Sequence, residues 1–309
     1  MKPKGETALV LGGGGPLGIA WQAGMLQGWA ESWAQSSSHS LEGKDVFAPF
    51  LEGRIIGTSA GAIVGAHLAV HGSIAALAAQ QHEPIGPDVP EKVSLAHFFL
   101  ALLKAKLFTR SVPKLRRSIG KSALKAAIPG EQEMVAAIAR SYAPAGPWPE
   151  STDLRITVVD PESGEFHGWH AGSGVPLALA VAASCAMPLV LPLIRVNGRL
   201  YMDGGIGSST NATLASGYAC VLVLDPLGRM LGNFSPLDVE RRELEAGCSH
   251  TLAFLPDQAV ADAIGNHVFD FSRRAQVATL ARAQGHTTAP GVWSFLHDSV
   301  RRHGAEASI

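Results

Sequence analysis

Cysteine is scarce in this chain of 309 residues: only Cys185, Cys220 and Cys248 are present. An odd number at wide spacing excludes a disulfide framework, and no Cys/His grouping has the spacing of a metal site. The three sit among apolar or small residues, which predicts buried, reduced thiols and a cytoplasmic location. No uninterrupted apolar run reaches the length of a membrane-spanning helix, so membrane contact is expected only at the periphery. Nothing apolar precedes the first strand-like run at Ala8, so no signal peptide is expected. Charge of one sign is not in excess either, with 25 Lys and Arg against 26 Asp and Glu and a net charge of −1. That balance points to no partner, and no nucleic-acid partner is expected. Internal repeats and low-complexity tracts are missing too.

What is abundant is apolar material, 47% of the chain at a mean hydropathy of +0.16. That is enough for a sizeable core, and one domain over residues 1–309 is expected. Buried-strand runs occur at Thr7–Leu11, Arg54–Ile56, Leu154–Val159, Leu200–Met202 and Cys220–Leu224. Helical periodicity fits Ile19 to Trp33, Ala60 to His71, two stretches between 93 and 128, Glu131 to Tyr142, and Val175 to Met187. Loops are expected around 36–43, 84–91 and 144–149, and the part from about 230 to 309 reads as mostly helical. Strands alternating with helices predict an α/β fold, a mainly parallel sheet flanked by helices. Residues 84–150 read as a helical cap inserted into it. Such sheets carry their sites at the carboxyl ends of strands, and all three glycine-rich turns of the chain follow strand-like runs.

The first of these turns is Gly12-Gly13-Gly14-Gly15, ahead of Pro16-Leu17-Gly18. Its backbone N–H groups can face an anion at a helix N-terminus. Gly13, Gly15 and Gly18 also satisfy the dinucleotide pattern G-x-G-x-x-G. That reading wants an acidic residue at the end of the next strand, where this chain has Gly57-Thr58-Ser59. The second turn, Gly57-Thr58-Ser59-Ala60-Gly61, matches the G-x-S-x-G nucleophile elbow, with small neighbours that let the Ser59 hydroxyl stand clear and a helix start that favours an oxyanion. A serine needs a base. A histidine after Asp203 (His250, His267, His286 or His297) would give a Ser-Asp-His triad, and the third turn, Asp203-Gly204-Gly205, offers a carboxylate acting directly. An ordinary D-G turn has the same sequence.

Taken in order, these three blocks and Ala183-Ser184-Cys185-Ala186-Met187-Pro188 resemble the patatin-like phospholipase family over roughly residues 7–227. The resemblance implies an α/β fold that hydrolyses lipid esters on a Ser-Asp dyad, through an acyl-serine intermediate and without a cofactor or metal. It implies Ser59 as nucleophile and Asp203 as base, with N–H groups of Gly13, Gly14 and Gly15 forming the oxyanion hole and Gly57 and Gly61 framing the elbow. The expected partner is a lipid or lipid-like ester. Two alternatives are a conventional Ser-Asp-His esterase and a non-catalytic lipid- or acyl-binding protein that retains the fold. The family carries Arg or Lys where this chain has Leu17, a residue that supports the glycine loop. Without it, the oxyanion hole is expected to rest on backbone dipoles alone.

One further segment is unusual. Residues 92–130 contain no Asp or Glu but hold Lys92, Lys104, Lys106, Arg110, Lys114, Arg116, Arg117, Lys121 and Lys125. A Leu/Phe-rich stretch from Leu95 to Phe108 adjoins them. An apolar helical face beside a cationic one fits peripheral contact with an anionic membrane. It fits equally a cap packed on the core with a solvated basic face, which would bury Phe98, Phe99 and Leu103.

Overall fold

The computed structural model describes residues 6–36, 46–84, 95–109, 111–141, 146–231 and 236–306. Most of the expected loops at 36–43 and 84–91, the start of the loop at 144–149, and Lys92 and Arg110 lie outside the described residues.

In chain order the elements are β1 (Thr7–Leu11), α1 (Gly15–Gln35), α2 (Ala48–Leu51), β2 (Arg54–Gly57), α3 (Ala60–His71), α4 (Ala75–Gln80), α5 (Ala96–Phe108), α6 (Val112–Ala126) and α7 (Glu131–Ser141). They continue with β3 (Asp153–Val159), β4 (Phe166–Trp169), α8 (Leu177–Ser184), β5 (Ile194–Val196), β6 (Arg199–Asp203), β7 (Cys220–Leu224), α9 (Gly228–Leu231), α10 (Leu237–Ala246), β8 (His250–Phe254), α11 (Gln258–Ile264) and α12 (Arg274–Glu306).

The sheet runs β5-β6-β3-β2-β1-β7-β8, with β4 paired to β3. β3, β2, β1, β7 and β8 are mutually parallel. The central strands β1 and β7 are almost wholly apolar because helices cover both faces, which leaves no polar side to alternate with. This is the mostly parallel α/β sheet flanked by helices that the strand–helix alternation predicts.

Two departures from expectation matter for the site. The part beyond residue 230 is not only helical: β8 pairs in parallel with β7 from Cys220↔His250 to Leu224↔Phe254. It is an edge strand, partly exposed along its length, and it opens on the polar pair His250-Thr251. The second departure is α1, which begins at Gly15 rather than near Ile19, with Pro16 in its first turn, so the glycine run leads directly into a helix N-terminus. α1 is held from behind by α12. Trp21 Nε1 donates to Gln284 Oε1 at 2.9 Å, Trp29 Nε1 donates to Thr288 Oγ1 at 2.9 Å, and the Trp33 and Trp293 rings meet edge to face at 4.8 Å. Burying this much indole anchors α1 against the sheet.

The cysteines depart in one respect. Cys220 is buried and Cys185 partly so, but Cys248 is exposed, in a turn with φ of +67° just before β8.

The direction of β6 sets the site. It runs antiparallel to β3, and the two pair through Val158↔Asp203 and Val159↔Met202. β4 occupies one edge of β3 over Ile156–Val159, and β2 occupies the other edge as far as Ile156. A strand has two edges, so β6 pairs on the β2 side, just beyond the point where β2 ends. The tips of β2 and β6 therefore meet head-on along β3 at the carboxyl edge of the sheet.

Candidate active site

Ser59 sits between β2 and α3 with φ of 54° and ψ of −115°, a backbone state that non-glycine residues rarely adopt. Such a conformation costs about 1–3 kcal/mol and persists only where the surroundings enforce it. Here they do. A Cβ on Gly61 would lie 1.9 Å from the Leu11 carbonyl oxygen, so α3 can pass this close to β1 only with glycine there. Ser59 also donates its backbone N–H to Ser184 Oγ at 2.9 Å, and Cys185 Sγ lies 3.4 Å from the Ser59 carbonyl oxygen.

Asp203 closes β6 and is 6% exposed. Its N–H donates to Ala186 O at 2.9 Å. The Ala183–Pro188 block thus holds both residues, Ser59 through Ser184 and Asp203 through Ala186. The Asp203 carboxyl interacts with the Ser59 side chain, which favours its ionised form, and Oδ1 accepts the Gly205 N–H at 2.7 Å. Burial pushes its pKa up from 3.8 to about 6, and those two interactions oppose part of the rise. Burial, and then the charge of Asp203, hold the Cys185 thiol well above the usual range, so it stays protonated beside the carboxylate.

A buried polar network fixes the gap between the two strand tips. Thr157 Oγ1 donates to Thr58 Oγ1 at 2.9 Å, and Asn211 Nδ2 reaches Thr58 Oγ1, Gly204 O and Ser208 O at 3.1, 3.1 and 3.2 Å. Thr58 and Thr157 are fully buried and Asn211 nearly so. Gly204 passes so close to Thr157 that a Cβ would fall 2.3 Å from its hydroxyl oxygen. Glu240 of α10, also buried, accepts from Ser208 Oγ at 2.6 Å, from Thr210 Oγ1 and from the Ala212 N–H at 3.0 Å, anchoring the loop that follows.

In the glycine loop, the Gly13 N–H donates to Ser209 O at 2.8 Å and the Leu17 N–H donates to Val268 O at 3.2 Å. Gly14 and Gly15, at the start of α1, donate to no backbone carbonyl among the described residues. Of the three N–H groups expected to line an oxyanion hole, Gly13's is therefore committed elsewhere. Leu17 is fully buried, and the buried Gln22 donates through Nε2 to Gly12 O at 3.0 Å and Gly18 O at 3.1 Å, bracing the loop from behind. Arg116 of α6 does the same for the Asp203 loop: its Nε donates to Ile206 O at 2.7 Å, and the guanidinium stacks over Phe166 at 4.6 Å. Burial lowers its pKa, which marks it off from the solvated basic residues of its segment.

Gly13, Gly14, Gly15, Ser59, Asp203 and Gly205 line one cavity of about 200 Å³. Its remaining wall is mainly apolar and comes from α5 (Phe98, Leu102), α6 (Leu115), the turn after α8 (Met187), and Leu227, Val268 and Phe269 of the C-terminal third, with Lys106 as a cationic member. No histidine among the described residues lines it; His267, next to Val268, is exposed. Gln22, Arg116, Ser184, Asn211 and Glu240 went unrecognised in the sequence: Arg116, Ser184, Asn211 and Glu240 act on partners distant along the chain, and Gln22 acts on backbone carbonyls of its own loop and helix, which no residue type marks. Ser184 alone lies in a block that the sequence singles out.

The model of the patatin-like phospholipase family matches residues 9–216, which include all three glycine-rich turns. No curated protein matches the chain. Among solved structures, the crystal structure of VipD from Legionella pneumophila is similar with a TM-score of 0.44 at 12% identity, over 94% of this chain and 67% of VipD.

Proposed function

This chain belongs to the patatin-like phospholipase family, and from that premise we propose that it hydrolyses carboxylic esters of lipids on a Ser59–Asp203 dyad. The observation that carries the reading is the meeting of a strained serine with a buried, hydrogen-bonded carboxyl, inside an apolar cavity that also receives a helix N-terminus. Asp203 takes the Ser59 proton as Oγ attacks the acyl carbonyl. The N–H groups of Gly14 and Gly15, at the positive end of α1, receive the oxyanion. The tetrahedral adduct collapses, the ester C–O bond breaks, and the leaving alcohol takes the proton back from Asp203. Asp203 then removes a proton from water as it attacks the acyl-serine; the second adduct collapses, the bond to Ser59 Oγ breaks, that oxygen takes the proton back from Asp203, and the fatty acid leaves. A base whose pKa lies near 6 is ionised at neutral pH and still basic enough to accept a proton in the transition state.

No cofactor enters this sequence of steps. Helices α5 and α6 we read as a cap whose inner side forms the acyl-binding wall. The decisive test is covalent labelling with a fluorophosphonate together with release of p-nitrophenol from short-chain esters. Ser59→Ala should abolish both, and Asp203→Asn should lower turnover by at least about 10³-fold, since the two members act as one unit. His267→Ala should leave turnover intact; its loss in a folded variant would establish a histidine base instead. Absence of labelling in the folded wild-type protein would favour a binding protein that retains the fold.

A further inference from the structure

α5 shows two apolar sides. Phe98 and Ala105 point inward and join a cluster with Leu115 and Ile119 of α6 and with Val159, Met202 and Ile206 beneath them. The outward side is also apolar: Phe99 is 51% exposed, Leu100 51%, Leu103 60%, Leu107 73% and Phe108 89%. A cap packed on the core with only a basic face to solvent would bury Phe99 and Leu103 together with Phe98, and only Phe98 is buried. Five large apolar side chains in the open on 13 residues of helix are far from the scattered single exposures normal on a protein surface.

Two further observations say what covers this face. It is continuous with the cavity, because Leu95, just ahead of α5, and Phe98, Phe99, Leu102 and Lys106 of α5 form one stripe that lines the chamber holding Ser59. It is also cationic at its borders. Lys104 and Lys106 lie on α5, while Lys114, Arg117, Lys121 and Lys125 occupy the exposed face of α6, opposite the buried Leu115, Ile119 and Ala123. All 26 acidic residues of the chain lie outside residues 92–130.

We propose that the outer face of α5, with the exposed lysines of α6, docks on an anionic lipid bilayer and presents the cavity mouth directly to lipid. The proposal rests on the reading of the site as a lipid acyl hydrolase, and its experiment separates the two. Binding is measured with full-length Ser59→Ala protein by co-sedimentation with vesicles of phosphatidylcholine alone and of phosphatidylcholine with phosphatidylglycerol. Turnover is measured on a short soluble ester with Ser59 intact.

The Ser59→Ala protein should bind the anionic vesicles, and salt should weaken that binding. Lys114→Gln/Lys121→Gln/Lys125→Gln should lose roughly 100-fold in partitioning, at about 1 kcal/mol per charge. Leu103→Gln/Leu107→Gln should lose binding to both kinds of vesicle. Both variants should hydrolyse the soluble ester as the wild type does, which shows that they are folded. Equal binding to both vesicles, binding to neither, or unchanged binding by the lysine variant would overturn the docking proposal. So would a dimer in sedimentation velocity that the leucine variant dissociates while vesicles go unbound, because the face would then belong to a second copy. Anionic-vesicle binding without any ester turnover would leave the docking face standing and refute the catalytic reading.

Discussion

Replacing Asp203 by Asn separates what the carboxyl does for chemistry from what it costs the fold. Its pKa is raised from 3.8 to about 6 by burial. A carboxyl whose folded value is raised keeps its proton in the native state after the unfolded chain has lost it. Stability therefore falls as pH rises between about 4 and 6, and is flat above and below that window. The interval is a little over two pH units at 1.36 kcal/mol each, so ionised Asp203 costs the native state about 3 kcal/mol at neutral pH. Asn is nearly isosteric, and its Oδ1 can still accept the Gly205 N–H. Asp203→Asn should thus be about 3 kcal/mol more stable than the wild type at pH 7, or 4–5 °C higher in Tm for a chain of this size, and equally stable near pH 4. The assay is urea unfolding of both proteins at several pH values from 4 to 8, read as the difference between them. Ester turnover by the wild type should fall below about pH 6 as the same group takes up its proton. A difference that does not change with pH, or an Asn variant less stable at pH 7, would refute the claim that a desolvated base sits at this position.

Other perturbations test the frame around it. Ser59→Gly relieves the backbone strain at φ 54° and should raise stability by about 1–3 kcal/mol while abolishing fluorophosphonate labelling; Ser59→Ala, which keeps the strain, should not be stabilised in this way. Gly61→Ala drives a methyl into the Leu11 carbonyl and should cost about 3 kcal/mol or more, seen as a lower urea midpoint or loss of soluble protein. Arg116→Ala removes a charge-assisted bond to Ile206 O worth about 1.5–3 kcal/mol, so kcat on a soluble ester should fall about 10-fold or more with little change in KM, and Arg116→Lys should recover part of it.

The residues whose requirement is local were legible in the sequence. Gly57 and Gly61 are dictated by a tight turn and a close helix, and the run before Gly12 is apolar because β1 is covered on both faces. Features that depend on pairing between distant segments were not. β8 is a partly exposed edge strand whose apolar run is only Leu252-Ala253-Phe254, and β5 is three residues long, joined to β6 through Asn197-Gly198, both at positive φ. Arg116 reads as one more cation of a basic segment until Ile206 is seen beneath it. Leu17 reads as a missing support until Gln22, one turn further along α1, is found holding Gly12 and Gly18. That Gly13 spends its N–H on Ser209 depends on a loop almost 200 residues away.

The order of the motifs along the chain also conceals how the serine and the carboxylate come together. Both follow strands, which suggests parallel neighbours ending at a common edge. Strands β2 and β6 run in opposite directions and meet tip to tip against β3. Parallel neighbours would carry Ser59 and Asp203 on separate loops, each free to drift. Head-on tips share one template: Gly57 is registered to Ile156, and Asp203 to Val158, two residues further along the same strand. The Thr58–Thr157–Asn211 hydrogen bonds then close the gap. The separation of nucleophile and base is thereby set by the rise of one buried strand, among the stiffest rulers a protein has. That rigidity lets a strained serine and a desolvated carboxyl coexist, because neither can relax without unpairing β3.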